Sequence, residues 1–144
     1  MRNVDFDWQR VLDFEGASGP YVQYCQVRCN SLISKFGKVI SQKFARELAS
    51  PEEDHLLLLL LQYSEILRNS FKQFRPNILA QYLVEVGRTF NNFYQKHRVL
   101  GEEEAVEASR MTLVYATREV LRQGLAVLNI ESPEAMEKKT IASN

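Results

Sequence analysis

The feature that most narrows what this chain can fold into is a single apolar stripe. From Asn77 to about His97, residues Leu79, Tyr82, Leu83, Val86, Phe90, Phe93 and Tyr94 recur at spacings of three and four, tracing one face for more than five turns. A stripe of that length belongs to an amphipathic helix and needs other elements to cover it. No stretch of the chain shows a convincing period of two. Six glycines and four prolines in 144 residues are also too few for a sandwich or barrel, which needs a turn signal about every 8 to 12 residues. With 45% apolar residues the chain can build one real core, and it is too short for two. The expectation is an all-α fold, an antiparallel bundle of five or six helices over residues 1–136, followed by a C-terminal tail at 137–144.

The remaining helices follow from their start and stop signals. Phe6, Trp8, Val11 and Leu12 suggest a short helix over residues 5–15, closed by Gly16-Ala17-Ser18-Gly19. Pro20 opens a second helix, where its missing N–H costs nothing, and Gly37 stops it after Phe36. Ser50-Pro51-Glu52-Glu53 combines an N-cap serine, a proline at the first helical position and a glutamate three residues after the cap. The run Leu56 to Leu61 that follows is apolar on every face, which predicts a helix enclosed at the centre of the bundle. Ser64-Glu65 predicts a new cap for a helix reaching Phe74, ended by Arg75-Pro76. After Gly101, Glu102-Glu103-Glu104 suits the positive end of a last helix that carries Val106, Arg110, Leu113, Ala116, Thr117, Val120, Leu121, Leu125 and Leu128 along one side. Asn129 and Pro133 punctuate its end.

Signs of catalysis are sparse. There is no glycine-rich phosphate loop, no Gly-x-Ser-x-Gly elbow and no His-Glu-x-x-His pair, and His55 and His97 stand alone. Cys25 and Cys29 share a helical face at i, i+4, could supply only half a zinc site, and read as core thiols. Neither catalytic nor metal-ligating residues are assigned, and no cofactor is expected in this chain. Six consecutive leucines fall far short of the roughly 20 residues a spanning helix needs, and the N-terminus lacks an apolar signal region. A cytoplasmic protein with no membrane and no DNA partner is the expectation; the cysteine usage fits a reducing compartment.

The formal net charge is zero, with 18 basic and 18 acidic side chains, but that zero is an average over opposed segments. Residues 64–101 hold six basic against two acidic side chains, whereas 102–137 hold three against eight. The basic segment is also aromatic: Phe71, Phe74, Tyr82, Phe90, Phe93 and Tyr94 lie among Arg68, Lys72, Arg75, Arg88, Lys96 and Arg98. Rings interleaved with cations suit unstacked RNA bases, although the same pattern arises when the rings are core and the cations solvate the other face. Tyr24 and Arg28, at i, i+4, can project a ring and a guanidinium together. Asn91, Tyr94 and Arg98 repeat the idea at i, i+3 and i+7, placing an amide, a phenol and a cation along one helical stripe. Each group could equally be a polar boundary, and a helical module docking a protein partner through exposed aromatics is the alternative to RNA binding.

A longer set of residues carries a resemblance. Phe6-Asp7-Trp8, Phe14-Glu15-Gly16 and Gly19-Pro20-Tyr21-Val22-Gln23-Tyr24, then Arg28 and Ser31, closely resemble the opening of the C-terminal domain of arginyl-tRNA synthetases. The likeness continues through Leu60-Leu61-Gln62-Tyr63, Pro76, Tyr82-Leu83, Phe90-Asn91-x-Phe93-Tyr94, Arg98-Val99-Leu100 and Arg110. It ends with Gly124-Leu125-x-x-Leu128-x-Ile130 and Pro133 to Met136, so it covers nearly the whole chain.

The resemblance implies a DALR-type anticodon-binding domain, an all-helical bundle that grips the anticodon loop of arginine tRNA. By the same likeness Tyr24, Arg28, Tyr94 and Met136 fall at positions that contact or shape the anticodon pocket. It further implies a parent class I ligase that loads arginine onto tRNA with ATP and Mg, using a catalytic domain earlier in the same polypeptide. The class I His-x-Gly-His and Lys-Met-Ser-Lys-Ser signatures are absent, so this chain is expected to be the C-terminal part of such an enzyme and inactive alone. The tetrapeptide that names the domain reads Glu107-Ala108-Ser109-Arg110, with serine in place of the usual leucine. Asn129 stands where glycine often precedes isoleucine, a substitution that a left-handed cap tolerates.

Overall fold

A computed structural model describes residues 18–40 and 48–136. Five helices occupy them: α1 (Gly19–Phe36), α2 (Pro51–Leu61), α3 (Tyr63–Lys72), α4 (Pro76–Lys96) and α5 (Glu104–Val127). No strand occurs among the described residues. The helix expected at 5–15 and the tail expected at 137–144 lie outside them.

Local chemistry sets most of the boundaries. The Ser18 hydroxyl accepts the Tyr21 N–H at 3.2 Å at the start of α1, and Gly37, at φ 62°, ends it in the left-handed region. At the start of α2 the Ser50 hydroxyl accepts the Glu53 N–H at 3.2 Å, and the Glu53 carboxylate accepts the Ser50 N–H at 2.9 Å. This is the reciprocal box that the sequence predicts. Ser64-Glu65, in contrast, caps nothing. Gln62 stays helical (φ −77°, ψ −10°) and α3 begins at once with Tyr63, so α2 and α3 form one interrupted helix.

Two helices end in the same way without glycine. After α3, the Arg75 N–H reaches Ser70 O at 3.0 Å and the Phe74 N–H reaches Phe71 O at 3.1 Å, with Phe74 at φ 52°. After α5, the Ile130 N–H reaches Leu125 O at 2.9 Å and the Asn129 N–H reaches Ala126 O at 3.0 Å, with Asn129 at φ 57°. Both are Schellman turns. Asparagine tolerates this conformation; for phenylalanine it costs about 1 to 2 kcal/mol.

Contacts give the helix directions. Glu52 meets Lys96 and His97, and the Tyr82 hydroxyl donates to Leu59 O at 2.8 Å, so α2 and α4 are antiparallel. α5 is antiparallel to α4, since Arg110 lies by His97 and Gly124 by Leu83. The core runs along α4, where Leu79, Val86, Phe90 and Phe93 are fully buried against Met111, Val114 and Leu121 of α5 and Leu56 of α2.

The expectation for the leucine run fails here. α2 packs on α4 and α5 with one side only, and Leu58 and Leu61 are 59% and 69% exposed. A run without periodicity cannot say which face is covered.

Two glycines allow close helix approach. A Cβ on Gly124 would stand 2.4 Å from Leu83 Cδ2, and one on Gly87 would stand 3.0 Å from Tyr21 Cε1 and 3.1 Å from Cys25 Sγ. The Gly87 contact brings α1 against the C-terminal half of α4, the junction at which the candidate site is built.

Candidate nucleic-acid interface

The turn spacing of α1 puts Tyr24 and Arg28 on one stripe, and α4 presents Asn91 and Tyr94 to it. The Arg28 guanidinium sits 4.8 Å from the Tyr24 ring centroid and 5.1 Å from that of Tyr94, between two aromatic faces. Its Nη1 donates to Asn91 Oδ1 at 2.9 Å and its Nη2 donates to the Tyr24 hydroxyl. Asn91 Nδ2 in turn donates to the Tyr21 hydroxyl at 2.9 Å, and Tyr94 stacks on buried Phe90 with centroids 6.1 Å apart. Behind this layer, burial pushes the Tyr21 phenol up to about 12 and the Cys25 thiol up to about 11. Both stay neutral, so Arg28 carries the charge of the cluster.

An open cleft of about 260 Å³ lies beside the guanidinium, lined by Tyr24, Val27, Arg28, Ser31, Leu32, Lys35 and Tyr94. Arg28 has five N–H donors and spends two on protein partners, leaving three without a protein partner. Lys35 adds a second, exposed cation seven residues along the same helix. Sequence reasoning missed Lys35 and quoted Ser31 only within the family resemblance, although the helical repeat from Tyr24 and Arg28 would have reached both.

Three sequence expectations change. Asn91 uses the oxygen and the nitrogen of its amide on protein partners, so it positions Arg28 and presents no free edge to a base. Arg98 leaves the predicted stripe, because α4 stops at Lys96 and His97 is extended (φ −124°, ψ 130°). Its Nε donates to Leu100 O at 2.9 Å, and its carbonyl accepts Arg110 Nη1 at 2.7 Å. The aromatic segment divides: Tyr82, Phe90 and Phe93 are core, Tyr94 is half-buried, and Phe71 and Phe74 are exposed. Met136 is half-buried at the end of a strap, tied to α1 by Gln23 Nε2 donating to Glu131 O and Asn30 Nδ2 donating to Glu134 O.

Ser109 and Arg110 have structural partners. Ser109 is buried and satisfies its hydroxyl on Ala105 O. Arg110 Nε donates to Glu53 Oε1 at 2.7 Å, so the start of α5 is bolted to the capping box of α2. Burial pushes the Glu53 carboxyl up, but Arg110 and the Ser50 and Ala49 amides outweigh it and hold it below the ordinary 4.5. Among the described residues no three His, Cys, Asp or Glu side chains form a metal-binding group, and no helix is long and apolar enough to cross a membrane.

The chain is 36% identical over 136 residues to an arginine–tRNA ligase of Clostridium botulinum (strain Alaska E43 / Type E3), covering 94% of this chain and 24% of that protein. It is 38% identical over 143 residues to an arginine–tRNA ligase of Pyrococcus furiosus, covering 94% and 23%. The solved Thermus thermophilus arginyl-tRNA synthetase superposes with a TM-score of 0.85 at 33% identity, over 94% of this chain and 24% of that one. The chain thus spans about a quarter of the length of the relatives it matches. Residues 22–136 match the family model of the DALR anticodon binding domain, and the chain belongs to that family.

Proposed function

We propose that this chain binds the anticodon loop of arginine tRNA, as the C-terminal anticodon-binding part of an arginine–tRNA ligase. The catalytic domain of that polypeptide would consume ATP with Mg in the cytoplasm to charge the tRNA; this chain supplies recognition and has no aminoacylation chemistry of its own. The observation that carries the reading is the Arg28 guanidinium held between the Tyr24 and Tyr94 rings at the mouth of an open cleft.

Recognition follows from that arrangement. An unstacked base enters the cleft beside the Tyr24 and Tyr94 rings, where a stacking contact is worth about 1 to 3 kcal/mol. The free N–H donors of Arg28 meet acceptors on the edge of the base, and Lys35 neutralises a neighbouring phosphate. Cytosine offers N3 and O2 as adjacent acceptors, whereas N3 of uracil carries a hydrogen and opposes a donor. Asn91 acts on Arg28, not on the base, and Met136 contributes from the strap that Gln23 and Asn30 tie to α1. Arg98 contributes charge from the loop beyond α4.

The test is the affinity of the chain for an arginine tRNA transcript against one whose middle anticodon cytosine is replaced by uracil. Weaker binding of the altered transcript is expected, with affinity falling steeply as salt is raised; equal binding of both would refute the reading.

A further inference from the structure

At the other end of α4, about 25 Å from Asn91 at 1.5 Å per residue, the turn between α3 and α4 presents a second set of rings and cations. Every residue from Phe71 to Asn77 is exposed, Phe74 at 92% and Phe71 at 64%. Phe74 occupies the position of a Schellman turn that glycine fills most easily, at φ 52°. The turn is nevertheless held, because the Ser70 hydroxyl donates to Arg75 O at 2.9 Å while the Arg75 N–H donates to Ser70 O. A strained, ordered backbone thus supports a ring that touches almost nothing, and an outlier of this kind points to a use. Lys72 and Arg75 flank the ring with no acidic partner among the described residues, and Arg68, 63% exposed, lies one helical turn before Lys72.

We propose that this turn is a second RNA contact, in which Phe74 stacks on an unpaired nucleobase and Lys72 and Arg75 neutralise adjacent phosphates. It rests on the tRNA-binding reading above but uses none of the same residues. Charge decides between occupants: a ring between two unpaired cations complements a polyanion bearing exposed bases, whereas a protein interface core is depleted of charge. A ligand touching both ends of α4 must span about 25 Å, which calls for a folded RNA and not an isolated loop.

The experiment measures binding of the whole chain to the arginine tRNA transcript across a salt series. Phe74→Gly removes the ring and relieves the left-handed strain, so it should melt at or above the parent temperature while binding about 5- to 150-fold more weakly. Phe74→Leu keeps an apolar side chain without a π face and should weaken binding similarly, whereas Phe74→Tyr should retain it. Lys72→Glu with Arg75→Glu should flatten the salt dependence by about 1.4 to 1.8 in slope. Discrimination of the anticodon cytosine should survive in all four variants. If glycine, leucine and the charge reversals leave affinity and slope unchanged, the turn is no RNA contact, whatever the anticodon transcripts show. Retention of binding by Phe74→Leu but not Phe74→Gly would show that an apolar side chain suffices without a π face and would overturn the stacking contact. If the variants weaken binding while the anticodon change does not, this contact stands and the anticodon reading falls. Absence of RNA binding by the parent chain would refute both.

Discussion

Replacing Arg110 by methionine tests whether the family arginine is a structural bolt. Its side chain is 14% exposed and that of Glu53 only 2%. Methionine keeps much of the aliphatic stem but removes the donor to Glu53 Oε1 at 2.7 Å and the donor to Arg98 O at 2.7 Å. Glu53 then keeps two backbone donors, Ser50 N at 2.9 Å and Ala49 N at 3.0 Å, and no opposing charge. Stranding one member of a buried pair costs about 3 to 5 kcal/mol, a large share of a domain stability of about 5 to 15 kcal/mol. Urea unfolding followed by helical circular dichroism should show this loss at neutral pH with the denaturant slope unchanged.

The pH dependence makes the test specific. In the parent the folded Glu53 pKa lies below its ordinary 4.5, so its contribution is present above that value and is lost as pH falls through the lower folded pKa. Without Arg110, burial acts with less opposition and the folded pKa rises, so the variant is penalised near neutrality and relieved in acid. The gap between parent and variant should therefore narrow as pH is lowered through about 4.5. The double variant Arg110→Met/Glu53→Gln should lose less than the sum of the singles, since it removes the stranded charge. A single-variant loss below about 1 kcal/mol, independent of pH, would refute the idea that the carboxylate is held dry by Arg110.

Three further outcomes follow from other contacts. Gly124→Ala places a methyl 2.4 Å from Leu83 Cδ2 and should cost about 1 to 3 kcal/mol, read by the same unfolding assay. Tyr94→Ala should weaken tRNA binding about 5- to 150-fold with native helicity retained; loss of folding would show that its packing on Phe90 is its main role. Cys25 and Cys29 are buried with thiol pKa values raised by burial, so a thiol-specific reagent at pH 8 should label them only as fast as the chain opens, and quickly in denaturant.

Local rules made much of this fold legible. The proline start of α4 and its long stripe, the Ser50–Glu53 capping box, the Gly37 stop and the left-handed Asn129 each depend on chemistry within a few residues, and the helices stand where that chemistry puts them. The same holds for the pairing of Tyr24 with Arg28, a neighbour relation of one helix. The Leu56–Leu61 run misled because an apolar segment without periodicity carries no information about which neighbours exist. Ser64-Glu65 misled because cap-like residues also occur where the preceding residue stays helical.

The sequence by itself determined the helical class and most helix limits, which rest on spacing along one chain, and its ordered motifs carried the resemblance to the family. Only the tertiary structure decided what the polar residues do. Asn91 looked like a reader of bases, yet the close approach at Gly87 brings Tyr21 and Arg28 to either end of its amide. Arg98 looked like part of a stripe, and one extended residue at His97 removed it. Arg110 and Glu53, 57 positions apart, became one ion pair. Phe71 and Phe74 lie outside the long apolar stripe that holds Phe90 and Phe93, and only the packing shows that nothing covers them. Helical periodicity is a property of neighbours in sequence; hydrogen-bond satisfaction and burial belong to neighbours in space.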